Sequence, residues 1–131
     1  MGKETTQEGW LTYLKGISWT QFATFTTSKP ITLKSARRLM EKVGTRVLGD
    51  DGKMFWAAEP FSLGVRADSY HVHALIKTRQ SPKQVEDWWR EKFGFAQVRR
   101  YNPKKDAVEY VAKYMTKQVH DYDLLVGKEK P

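Results

Sequence analysis

The chain has 131 residues, no cysteine and a net charge of +8, and its 40% of hydrophobic residues suffices for one compact core. Without cysteine there can be no disulfide, thiolate zinc site or thiol catalysis, and no apolar run reaches the roughly 20 residues that span a bilayer. The polar start Met1-Gly2-Lys3-Glu4 lacks the apolar core of a signal peptide, so a soluble, intracellular protein with no membrane partner is expected.

Residues 1–15 are mixed, with Trp10, Leu11 and Leu14 at helical spacing. Residues 19–27, rich in aromatics and threonine, predict a strand that Ser28-Lys29-Pro30 ends. Thr32 then caps a helix over 33–46, with Leu33, Ala36, Leu39, Met40 and Val43 on one face. Gly49-Asp50-Asp51-Gly52 is a turn signal, followed by strands over 53–59 and 69–77 with a wide hairpin loop between them. Ser81-Pro82 opens a helix over 82–92 by the cap-then-proline rule, 94–101 reads as a fourth strand, and Asn102-Pro103 opens a last helix over 103–119. The charged tail, 121–131, is read as loose. This order, β-α-β-β-α-β-α, predicts a single α+β domain over 1–131 with its core at about 19–120. Its expected form is an antiparallel sheet of four to five strands with packed helices, ferredoxin-like or RRM-like.

Part of the charge comes in pairs: Arg37-Arg38, Arg99-Arg100 and Lys104-Lys105. Clustered cations suit nucleic acid, because each phosphate they neutralise releases counterions. An anionic membrane surface fits less well, since no basic amphipathic helix stands apart from the rest.

His71-Val72-His73 carries the first chemical signal. Residues two apart on a strand point to the same side, so both imidazoles project together while Val72 faces a core. Glu59 ends the preceding strand and lies beside the two histidines if the strands are hairpin partners. Asp68, in the loop, is the alternative third ligand. Two histidines and a carboxylate suit a divalent cation that must also hold a phosphate oxygen. The last helix carries the second signal, Tyr110-Val111-Ala112-Lys113-Tyr114-Met115-Thr116-Lys117, a doubled Tyr-x-x-Lys with both tyrosines on one helical face. A phenol with a pKa of about 10 needs nearby positive charge before it attacks a phosphate.

His-hydrophobic-His on a strand, followed by Tyr-Val-Ala-Lys-Tyr-x-x-Lys on a helix, resembles the HUH endonuclease superfamily. The paired tyrosines are similar to those of two-tyrosine rolling-circle replication initiators of phages and plasmids. Phe22-Ala23-Thr24-Phe25-Thr26-Thr27 resembles the family's first motif, and the resemblance covers about 19–120. It implies an HUH nuclease fold and a metal-dependent nickase and strand transferase acting on single-stranded DNA at a replication origin, beside a hairpin in some cases. It also implies Mg²⁺ or Mn²⁺ on His71, His73 and Glu59. By the same resemblance one tyrosine attacks first to give a 5′-phosphotyrosine and a free 3′-OH, the other performs the second transfer, and Lys113 and Lys117 steady the phosphates. Each tyrosine has a lysine at the same offset, which leaves the order of Tyr110 and Tyr114 open, with Tyr110 preferred as the first nucleophile.

Arg37, Arg38, Arg99, Arg100, Lys104 and Lys105 are expected at the DNA backbone, with Trp19, Trp56 or Tyr70 as stacking rings and Trp88-Trp89 as one core and one surface ring. Host polymerase and helicase are expected partners, since no nucleotide-binding glycine-lysine loop occurs in the chain. A single-tyrosine transposase of the same superfamily and a non-catalytic RRM-like binder are the rival readings. The second tyrosine and both lysines argue against the first. The second lacks its characteristic aromatic strand motifs.

Overall fold

The chain forms α1 (Lys3–Lys15), β1 (Gln21–Thr27), α2 (Leu33–Val47), β2 (Lys53–Pro60), β3 (Tyr70–Lys77), α3 (Pro82–Lys92), β4 (Gly94–Arg100) and β5 (Tyr122–Val126). The structure, a computed structural model, describes residues 3–60, 70–104, 108 and 122–127. The strands make one sheet in the order β4-β1-β3-β2-β5, and every neighbouring pair is antiparallel. The α+β expectation holds, with five strands.

Local sequence sets the boundaries as expected. The Thr32 hydroxyl accepts from the Ser35 N–H at the start of α2, and Ser81 with Gln84 forms a reciprocal capping box at the start of α3, with Pro82 in its first turn. Gly94 joins α3 to β4 at φ +153°. A Cβ there would lie 2.6 Å from the Thr26 carbonyl oxygen and the Ser28 nitrogen, so only glycine allows so close an approach to β1.

Both faces of the sheet are covered. On one, Ala36, Met40 and Val43 of α2 and Val85 and Trp89 of α3 pack on the inward residues of β1 to β4, including Phe25, Trp56, Val72 and Ile76. On the other, Leu14 of α1 packs with Trp19, Phe55, Ala57, Leu75 and Val108, and the Trp10 ring lies 5.4 Å from that of Phe55. Central strands covered on two sides read as continuous apolar runs, which explains Phe55-Trp56-Ala57-Ala58.

Three expectations need correction. Trp19 and Trp56, offered as exposed stacking rings, are 6% and 1% exposed. Trp19 donates its indole N–H to the Leu14 carbonyl at 2.8 Å, and Trp56 faces α2 under the Arg37 guanidinium. The tail is not loose over Tyr122–Val126. It forms β5 on β2, where Tyr122 and Leu124 pack against the second cluster and Leu125 fits against Gly44 of α2. The Gly127 N–H closes that edge on the Gly52 carbonyl at 2.8 Å. Pro103 and Lys104 form a turn where the last helix was expected to begin. Val108 is helical, and the rest of the predicted helix lies outside the described residues.

Candidate metal centre and the face around it

The hairpin of β2 and β3 sets Glu59 opposite His71 and Ala57 opposite His73. Val72 points into the helix-covered core, so both imidazoles and the carboxylate stand on the other face. His73 Nε2 lies 2.6 Å from Glu59 Oε2, and His71 Nε2 lies 3.6 Å from Glu59 Oε1. The ring centroids are 4.8 Å apart, and the ligating atoms of all three residues fall within 4.8 Å of one another. This is a compact donor set of two imidazole nitrogens and one carboxylate, the composition that suits a divalent cation with positions left open.

Electrostatics favour the same use. Burial, and then the neighbouring His73, hold the His71 imidazole below its ordinary value against the opposing pull of Glu59. A neutral imidazole keeps a lone pair for a cation. His73 is held from behind by β1, because Thr24 is its partner across the sheet and the Thr24 Oγ1 lies 3.2 Å from its Nδ1. A second hydrogen bond on the far ring nitrogen fixes the orientation of a ligating histidine. Thr24 was visible in the sequence only as part of an alternating strand.

The expected site residues separate by face. β4 places Arg99 opposite Phe22 and Gln97 opposite Thr24, on the histidine face, whereas Arg100 is opposite Gln21, on the helix side. Phe95, opposite Thr26, also stands on the histidine face, 57% exposed, with the Arg90 guanidinium 5.0 Å from its ring centroid. It escaped the sequence reading because nothing local separates an edge-strand phenylalanine from a core one. Tyr70 and Trp88 are half-buried, Trp89 is buried, and Lys104 is exposed.

Arg37 bonds within the fold, with Nη1 donating to Asp123 Oδ2 at 2.8 Å and Nη2 to the Tyr122 carbonyl at 3.1 Å. Arg38, one residue on, is exposed beside α3. Tyr110, Lys113, Tyr114, Lys117, Lys105 and Asp68 lie outside the described residues.

Both flanks of the tyrosine-bearing segment are described. Val108 is buried with Leu75 and Ala57, the neighbours of the histidines on their own face. Tyr122 pairs with Ala57, which pairs with His73, so it stands two strand spacings, about 10 Å, from that histidine.

The family model of the replication-associated protein ORF2/G2P matches residues 11–119. No curated protein and no solved structure matches the chain.

Proposed function

Because the chain belongs to the replication-associated protein ORF2/G2P family, we propose that it starts rolling-circle replication by nicking and rejoining single-stranded DNA at an origin through a tyrosine. The observation that supports this is the Glu59-His71-His73 cluster on the face where Val108 and Tyr122, the nearest described residues on either side of the two tyrosines in sequence, both pack.

His71, His73 and Glu59 would hold Mg²⁺ or Mn²⁺, which when bound supplies positive charge to a scissile phosphate. Tyr110 attacks that phosphorus through its phenolic oxygen. The phenol gives its proton to solvent as its P–O bond to the phosphorus forms, the bond to the 3′ oxygen breaks, and the departing oxygen takes a proton from solvent as a free 3′-OH. Lys113 stabilises the charge on the transferred phosphate. The covalent 5′-phosphotyrosine conserves the phosphodiester bond, so a later 3′-OH restores the backbone by displacing the tyrosine without ATP. Tyr114 performs the second transfer, with Lys117 steadying the phosphate as Lys113 does for Tyr110. On the same face Arg99 meets the backbone of the bound strand and the open Phe95 ring takes a base. The free 3′-OH is the substrate for a host polymerase, with a host helicase opening the duplex.

The test is an adduct assay with pooled single-stranded DNA, with Mn²⁺ or with EDTA, resolved on a denaturing gel. A metal-dependent protein–DNA adduct, absent from the Tyr110→Phe/Tyr114→Phe variant, is expected. Absence of an adduct from the parent on every pool would leave a binding module without the chemistry.

A further inference from the structure

Away from the metal centre, on the side of the sheet covered by α2 and α3, an open groove of ≈ 840 Å³ runs between those two helices. Arg38, Lys42 and Arg46 line one wall and Lys92 the other, over the half-buried rings of Trp88 and Phe93. Among the described residues Glu41 is the one carboxylate on these walls, and none of the four cations forms an ion pair. Arg37, by contrast, is committed to Asp123.

The spacing makes this more than a solvated helix face. Arg38, Lys42 and Arg46 recur every four residues, so their cations follow one stripe of α2 at a repeat of about 6 Å over about 12 Å. A row of that kind matches a repeating chain of phosphates better than a single anion. Double-stranded DNA presents one charge per roughly 1.7 Å of axis, against roughly 3.4 Å for one strand, so the counterion gain from a straight cationic row is greatest on a duplex. A single strand held at the histidines lies on the opposite face, with the sheet and a helix layer between it and this groove.

We propose that the α2–α3 groove binds the phosphate backbone of double-stranded DNA, apart from the strand that enters the metal centre. The inference rests on the nickase reading only in taking DNA as the polyanion.

The test measures Kd by fluorescence anisotropy over a series of salt concentrations. The probes are a random-sequence duplex of about two helical turns and an oligothymidine strand. Three proteins are compared: the parent, the Lys42→Gln/Arg46→Gln/Lys92→Gln variant and the His71→Ala/His73→Ala variant. The groove variant is expected to bind duplex about tenfold more weakly at low salt and to lose roughly 0.9 in the slope of log K against log salt per phosphate contact removed. Its affinity for oligothymidine should stay within about twofold of the parent, and the histidine variant should keep the parent's duplex affinity. No duplex binding by the parent, an unchanged slope in the groove variant, or equal losses on both probes would each overturn the proposal. Should the triple variant misfold, Lys42→Gln and Arg46→Gln must each lower the slope by about 0.9. The adduct assay reads the nickase separately, so a groove that binds duplex in a protein that forms no adduct would stand.

Discussion

His73 stands between two partners with different capacities. A carboxylate only accepts, so when the ring is neutral Nε2 donates to Glu59 and Nδ1 accepts from the Thr24 hydroxyl. To offer Nε2 to a cation, the ring must carry its proton on Nδ1 and donate it to Thr24. A hydroxyl accepts as well as it donates, so Thr24 serves both tautomers, which valine cannot. Thr24→Val, nearly isosteric on a half-buried position, should weaken Mn²⁺ binding by about 10- to 100-fold in a calorimetric titration, and Thr24→Ser should restore most of it. Unchanged affinity in the valine variant would remove Thr24 from the centre. Glu59→Gln keeps the shape of the side chain and removes its charge. It should weaken Mn²⁺ binding by at least about tenfold and reduce adduct formation with it. The histidine pair and its carboxylate were legible in the sequence because a period of two places His71 and His73 together whatever the fold. The threonine was not, because its partnership with His73 depends on the register of β1 on β3.

Among the elements, those with their own signals were legible: caps at Thr32 and Ser81, a helical stripe in α2, an apolar run in β2. β5 had none. Tyr122-Asp123-Leu124-Leu125-Val126 is short, and what makes it a strand is its pairing with β2, far away in sequence. The burial of Trp56 was missed for a related reason, since a strand covered on both faces gives no alternation to show which side is open. Arg37 is the side chain that ties β5 down from α2, through the Asp123 carboxylate, the Tyr122 carbonyl and the face of Trp56 at 5.2 Å. The ion pair is more than a third exposed, so solvent screening keeps it near the value of a surface pair. With the contribution from the ring, Arg37→Ala should cost about 1 kcal/mol of stability, seen as a lower urea midpoint at constant m. The same variant should bind duplex DNA as the parent does, because the guanidinium turns toward β5 and not toward the groove beyond Arg38.

At the scale of the molecule, the sheet is a partition. Its histidine face holds the candidate metal centre, Arg99 and Phe95, and the face under α2 and α3 holds the cationic groove, and among the described residues the two share no side chain. Substitutions far apart and without common partners add in free energy to within about 0.5 kcal/mol, whereas residues on one continuous ligand path couple. A DNA with a duplex arm and a single-stranded tail engages both faces at once. In Mn²⁺, the binding losses of His71→Ala/His73→Ala and of Lys42→Gln/Arg46→Gln/Lys92→Gln on that DNA should therefore sum, in a double-mutant cycle, to the loss of the combined variant. The salt slope should fall by about 0.9 for each phosphate contact that the groove substitutions remove, whether or not the histidines are present. A coupling of about 1 kcal/mol or more would mean that one stretch of DNA passes over both surfaces. In that case the duplex arm and the cut strand would bind as a single ligand wrapped around the edge at β4, where Arg99 and Arg100 point to opposite sides.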